Sequence, residues 1–295
     1  MWSRLVPCAR QLPRCFANVH VQKQIPGLIP SITSSRSTYR SLSYTKMINE
    51  GPKIADDEVW CGDGREEALL NHITGLPYLN TLRNNPSAII SEIEEWSDKQ
   101  KPLMIVGPDK GERIVAKINE QKPKLMVELG GYVGYSAILF GNAVRAAGGD
   151  KYISLEYSKE YASVASKLIE LAGLTDFVEV IVGSAADSLA GMAKEKSLKT
   201  IDILLVDHEK SLYLDDLKVA EKNGLLKPGS LVIADNLFAT ETNDFARYVR
   251  GGPTDETTGE LKPFMYESMT MWFSIERWNY FTDGVEFSKI IPLKN

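Results

Sequence analysis

Cysteine is scarce in this sequence. Cys8, Cys15 and Cys61 are the whole complement of a 295-residue chain, and none follows residue 61. The main body therefore carries no disulfide framework and no thiolate metal site. His20, His72 and His208 stand far apart, so no clustered imidazole centre is expected either. No run of about 18 consecutive apolar residues occurs, which excludes a transmembrane helix. Acid is missing from positions 1–49, which hold seven basic residues (Arg4, Arg10, Arg14, Lys23, Arg36, Arg40 and Lys46). Of the 34 basic residues, 27 remain for the rest of the chain against all 39 acidic ones, a net charge of −12 there. An acidic body repels phosphate backbones, so nucleic acid is not an expected partner.

The start of the chain is basic, acid-free and rich in Ser, most of all at Ser31-Ile32-Thr33-Ser34-Ser35-Arg36-Ser37. That composition matches a mitochondrial transit peptide, and the lack of an apolar core after the first arginine argues against a secretory signal. A disordered tail without an address is the other reading. Translation from Met47 would yield a cytoplasmic form. Residues 1–50 are therefore set apart as leader or tail, and 51–295 are expected to form one domain, a monomer.

The body alternates helical patterns with short apolar runs. Residues 63–98 are amphipathic, with breaks at Gly75-Leu76-Pro77 and Asn85-Pro86. Strands are expected at Lys124–Leu129, Tyr152–Glu156, Phe177–Val182, Ile201–Val206 and Ser230–Ala234. Tyr135–Ala147, Lys159–Ala172 and Leu212–Leu226 supply helices between them. This alternation implies an α/β fold with a doubly wound, mostly parallel sheet and helices on both faces. Near the end, Trp272–Ile275 and Val285–Ile291 read as two strands joined by a turn at Thr282-Asp283-Gly284, an antiparallel edge.

Ligands of open α/β sheets bind beyond the carboxyl ends of the strands. The first strand ends in Glu128-Leu129-Gly130-Gly131-Tyr132-Val133-Gly134-Tyr135-Ser136. Glycines there permit a tight turn and close approach of a ligand, and the following helix offers free N–H groups to an anionic group. Tyr132 stands where a dinucleotide fingerprint has its second glycine, which counts against a dinucleotide site. Glu156 ends the second strand and is placed to accept from ribose hydroxyls. Asp207 follows the fourth strand, and Asp235 with Asn236 follows the fifth. Neighbouring strands would bring these three oxygen ligands to one rim, a set suited to Mg²⁺. Each Asp alone also reads as a helix cap. Lys210, three residues past Asp207, can reach the same rim, and a lysine beside a metal can serve as a proton acceptor. His208 packs against a ligand or is an ordinary strand-end residue.

These motifs, in order along residues 62–291, resemble the catechol O-methyltransferase family. The matches are Gly62-Asp63, Leu70-Asn71-His72-Ile73, Met104-Ile105-Val106-Gly107, Lys110-Gly111, the Glu128–Ser136 loop, Glu156, Val182-Gly183, Asp207-His208 with Lys210, Pro228-Gly229 and Ala234-Asp235-Asn236. The resemblance implies a Rossmann-like methyltransferase fold of seven strands, the last antiparallel. It implies S-adenosylmethionine as methyl donor, Mg²⁺ and a small phenolic substrate. By position it assigns Asp207, Asp235 and Asn236 to the metal and Lys210 to the general base. Val106, Glu128 and Ser136 fall at the methionine end of the cofactor, Met104 near the transferred methyl and Glu156 at the ribose. Gly130, Tyr132, Ser184, Ala185, Asp207 and His208 complete the cofactor contacts. Lys210, Asn236 and Glu276 face the substrate, with Glu267 as the alternative to Glu276. The chain also departs from the mammalian pattern. Glu209 and Pro102 stand where those members carry tryptophans that sandwich the ring, and Thr240 where they carry a gating proline. Phe264, Tyr266, Trp272 and Phe273 are candidate replacements. Two other readings are an NAD-dependent oxidoreductase and a catalytically silent cofactor-binding protein.

Overall fold

The computed structural model describes residues 21–23, 61–195, 200–275 and 281–293. Helices α1 (Arg65–Thr74), α2 (Leu79–Leu82), α3 (Pro86–Lys99) and α4 (Gly107–Gln121) come before the central strands. The remainder alternates: β2 (Leu125–Leu129), α5 (Tyr135–Ala146), β3 (Lys151–Glu156), α6 (Lys159–Leu171), β4 (Val178–Val182), α7 (Ala185–Lys194), β5 (Ile203–Val206), α8 (Tyr213–Lys222), β6 (Leu231–Ala234), α9 (Asn243–Arg250), β7 (Met265–Ile275) and β8 (Phe281–Ile291). Local chemistry sets many of these boundaries. Asn85 caps α3 ahead of Pro86 by accepting from the Ala88 N–H, and Ser158 caps α6 by accepting from the Tyr161 N–H.

Seven strands form the expected mostly parallel sheet, in the order β7-β8-β6-β5-β2-β3-β4, with β8 antiparallel to both neighbours. Val21–Lys23 (β1), which the sequence reading had set apart with the leader, adds an eighth, antiparallel edge strand beside Met269–Met271. The central strands read as unbroken apolar runs because helices cover both faces. Met126, Ile203, Leu205, Leu231 and Ile233 point into a core shared with α1 and α3–α6. Leu125, Val127, Leu129, Leu204, Val206, Val232 and Ala234 point into the opposite core, under α7–α9. Among the described residues no helix is long and apolar enough to cross a membrane.

One expected turn is a strand. Thr282, Asp283 and Gly284 lie inside β8, opposite Ser274, Phe273 and Trp272 of β7. Asp-Gly chemistry favours a hairpin turn, but tertiary contacts override it here. The Asp283 carboxylate is fully buried and paired with Lys110. Gly284 makes room for the Trp272 ring, whose atoms would lie 3.0 Å from an added Cβ. Strand order reverses at β2, which pairs with β3 on one side and β5 on the other. This is the switch point where an open α/β sheet forms a crevice.

Candidate active site

The crevice opens at the carboxyl ends of β2, β3, β5 and β6 as a cavity of about 670 Å³, a size that suits a small-molecule ligand. Gly130, Gly131, Tyr132, Val133 and Ser136 line it from the loop after β2, and Glu156 lines it from β3. Asp207, His208, Glu209 and Lys210 come from β5, Asp235 and Asn236 from β6, and Met104 and Val106 from the segment before α4.

The loop after β2 owes its glycines to the protein as much as to any ligand. Gly130 has φ +94°, and an added Cβ would fall 2.6 Å from the Asp207 carbonyl oxygen. At Gly131 it would fall 2.3 Å from Ser154 Oγ. The Glu156 carboxylate organises the turn. Its Oε2 accepts from the N–H groups of Gly131 at 3.1 Å and Tyr132 at 2.7 Å, and its Oε1 accepts from Ser158 N–H at 2.7 Å. Tyr132 sits at φ +44°, a left-handed conformation costly for an aromatic residue. Its hydroxyl donates to Glu66 at 2.8 Å, and its ring meets Tyr161 edge-on at 5.1 Å.

Glu128 does not line the cavity; it lies fully buried behind the loop. Tyr152 donates to its Oε2 at 2.7 Å, while Oε1 accepts no hydrogen bond among the described residues. Burial pushes its carboxyl up to about 7, against the pull of the nearby Ser154 and Ser136 hydroxyls and of the Tyr152 hydrogen bond. A buried carboxylate oxygen without a donor is an unmet acceptor just behind the loop that lines the cavity. Ser184 also stands back from the cavity, while its neighbours Gly183 and Ala185 line it. Its hydroxyl is taken up in capping α7, accepting from Asp187 N–H and donating to the Asp187 carboxylate. His208 lines the cavity, stacks on Tyr213 with ring centroids 5.3 Å apart, and hydrogen-bonds to Asp216 through Nε2 at 2.7 Å. Its Nδ1 is buried and makes no hydrogen bond among the described residues.

Asp207, Asp235 and Asn236 meet at one rim, joined by two residues that sequence reasoning had not placed there. Lys110 Nζ donates to both oxygens of Asp235 at 2.7 Å and to Asp283 Oδ2 at 2.8 Å. Asn236, at φ +58°, donates through Nδ2 to the same Asp283 oxygen at 3.0 Å. Burial acts to lower the pKa of Lys110, but Asp235, Asp283 and Asp207 outweigh it and hold the ammonium above the ordinary lysine range. On the outer side, Lys210 Nζ donates to Asp207 Oδ1 at 3.0 Å and to Tyr213 Oη at 2.9 Å, and Tyr213 donates to the Asp235 carbonyl at 3.2 Å.

This donor set fits a hard divalent ion. Asp207 Oδ2 and Asn236 Oδ1 accept no hydrogen bond among the described residues. Asp235 Oδ2 accepts only one, leaving a lone pair. Three oxygens with spare capacity on one rim match the ligand type that Mg²⁺ prefers. Among the described residues no group of three or more His, Cys, Asp and Glu side chains is arranged to hold a metal ion, so the ligand set depends on the Asn236 amide.

The aromatic wall differs from expectation. Phe264 is half-buried in the core beneath α8 and α9, Tyr266 and Phe273 are buried, and Trp272 is exposed; none lines the cavity. Phe238 and Phe281 line it instead, edge to face with centroids 4.7 Å apart. Each stands two residues from a member of the Asn236–Asp283 pair, so the wall is fixed beside the candidate metal ligands. Glu276 lies outside the described residues, and Glu267 is exposed away from the cavity. The Lys110-Gly111 dipeptide was a sequence signal for one missed residue. Asp283 had none, because its turn signature pointed elsewhere.

Known proteins are similar to this chain in sequence and in fold. Residues 83–243 match the model of the O-methyltransferase family. The catechol O-methyltransferase of Bos taurus is 31% identical over 190 residues, which cover 64% of this chain and 68% of that protein. The Mus musculus catechol O-methyltransferase is 31% identical over 197 residues, 67% of this chain and 72% of its own length. Among solved structures, an O-methyltransferase from Bacillus cereus in complex with SAH superposes with a TM-score of 0.58 at 22% identity, covering 69% of this chain and 90% of that one. With the family model spanning more than half of the sequence, and catechol O-methyltransferases matched over two thirds of their length, the chain belongs to the O-methyltransferase family and is an enzyme of the catechol O-methyltransferase type.

Proposed function

We propose that the protein transfers a methyl group from S-adenosylmethionine to one hydroxyl of a vicinal diphenol, with Mg²⁺ bound at Asp207, Asp235 and Asn236. The observation that carries this reading is the three-oxygen rim, with Lys210 standing 3.0 Å from Asp207 at its outer edge.

A phenol with a pKa of about 10 is a weak nucleophile at neutral pH. The divalent ion, when bound, supplies positive charge that favours the ionised form of a neighbouring hydroxyl. Lys210 Nζ takes the phenolic proton, and Asp207 and Tyr213 hold that amine in place. The phenolic oxygen then attacks the methyl carbon as the carbon–sulfur bond breaks, leaving a neutral thioether. The other residues bind and orient. Ser136 lines the cleft, Glu128 lies buried behind the loop after β2, and Glu156 fixes that loop through its backbone N–H groups. Phe238 and Phe281 hold the flat ring of the acceptor. Positioning of this kind supplies about 7–11 kcal/mol for well-oriented reactants.

The test is product analysis by mass spectrometry with S-adenosylmethionine and a panel of vicinal diphenols, with Mg²⁺ or with chelator. The expected result is one added methyl per acceptor, lost in chelator. Full activity in chelator, or no methylation of any diphenol, rejects the reading. The basic leader further supports delivery to mitochondria, which imaging of the tagged full chain would check.

A further inference from the structure

Lys110 is the most deeply buried cation described, 2% exposed, and it sits in the apolar stripe of α4 with Gly107, Gly111, Ile114 and Ile118. A lysine in such a stripe needs a compensating charge. Here it has two, Asp235 and Asp283, brought from 125 and 173 residues away. The four groups form a closed set. The ammonium joins the two carboxylates, the Asn236 amide donates to Asp283, and Asp235 Oδ1 accepts from the Asn236 N–H at 2.8 Å. Two of the three candidate metal ligands, Asp235 and Asn236, therefore take their positions from Lys110. Asp235 cannot relax toward solvent, being 1% exposed. Asn236 is held in a left-handed conformation that few residues tolerate.

We propose that Lys110 is a built-in counter-cation of the metal site. It keeps Asp235, Asn236 and Asp283 assembled when no divalent ion is present, and it competes with the ion for Asp235, so that the metal stays exchangeable. This rests on the reading of Asp207, Asp235 and Asn236 as a Mg²⁺ site. Two cations share one carboxylate, so each weakens the hold of the other, and removing one must strengthen the need for the second. Lys110 touches no reacting atom in this scheme; it is a positioning residue.

The experiment compares thermal unfolding of the full chain and of Lys110→Met, without cofactor or substrate, in Mg²⁺ and in Na⁺ at matched ionic strength. The expected result is a lower Tm for Lys110→Met in Na⁺ and a Mg²⁺-specific rise larger than that of the wild type, recovering half or more of the loss. A role in packing alone predicts no selective recovery by Mg²⁺. Equal Mg²⁺ shifts in the two proteins overturn the inference while leaving the metal site standing. No Mg²⁺ shift in either removes the metal reading and the inference with it. If Lys110→Met does not fold, Lys110→Met/Asp283→Asn carries the same test, since it removes one charge of each sign. That variant is expected to fold and to bind Mg²⁺ at least about tenfold more tightly than the wild type by calorimetry. Failure of the double variant to fold, or wild-type affinity, refutes the role.

Discussion

Replacing Glu128 by Gln should make the protein more stable at pH 8 and leave this source of stability almost unchanged at pH 4. The wild-type carboxyl is fully buried with one oxygen lacking a donor, and burial raises its pKa from 4.5 to about 7. The folded state therefore keeps a proton that the unfolded chain releases between those values. Where the native state binds more protons, stability falls as pH rises. The stabilising protonated form is fully present below pH 4.5 and is lost as pH climbs through 7. At about 1.4 kcal/mol per pH unit, the shift amounts to about 3 kcal/mol by pH 8. Gln removes the titration and retains the acceptor for Tyr152, while its new N–H group can donate to the nearby Ser154 Oγ, which makes no hydrogen bond among the described residues. Urea unfolding of both proteins without ligand, from pH 4 to pH 8, would measure the difference. The curves should diverge across that window with Gln the more stable. A constant offset, or a less stable Gln variant at pH 8, would show that the native carboxylate is already compensated.

Three other outcomes are expected. Lys210→Ala should lower kcat by about 10²- to 10⁴-fold, the usual contribution of a general base, while calorimetry finds near-normal S-adenosylhomocysteine affinity; intact turnover would reject the base assignment. Phe238→Ala should raise KM for a diphenol more than it lowers kcat, because the ring contact with Phe281 is present before and during transfer; a pure kcat effect would place the ring elsewhere. Glu209 lines the cleft mouth, and among the described residues only Ser211 hydrogen-bonds to its carboxylate, at 3.3 and 3.4 Å. Glu209→Gln should therefore reduce the kcat/KM ratio of a cationic to a neutral diphenol by about two- to fivefold, the scale of an exposed charge contact, and an unchanged ratio would dismiss its influence.

The site was legible in the sequence wherever one residue obeyed one local rule. β2, β5 and β6 announced themselves as apolar runs because both sheet faces are covered, and their last residues pointed directly to Gly130, Asp207 and Asp235. The strand ends fell within a residue or two of expectation for the same reason. Where function depended on pairs, the reading failed. α4 went unrecognised because its buried face carries two glycines and a lysine among its isoleucines, which dilutes the periodic signal. Phe281 and Asp283 went unrecognised because Asp-Gly chemistry outweighed a short apolar pattern. These failures have one physical origin. Lys110 and Asp283 each read alone as a solvent-facing charge, since burying either by itself is prohibitive, and they become core residues only because opposite charges are buried together, Asp235 and Asp283 around Lys110. The same argument explains the aromatic wall. Phe238 and Phe281 are ordinary apolar residues 43 positions apart, and they form one wall only because the segment after β6 is held against β8 by the Asn236–Asp283 and Leu237–Gly284 hydrogen bonds. The pairing that hid the polar heart of the site from its sequence thus also built the apolar half, and disrupting Asp283 should disturb both together.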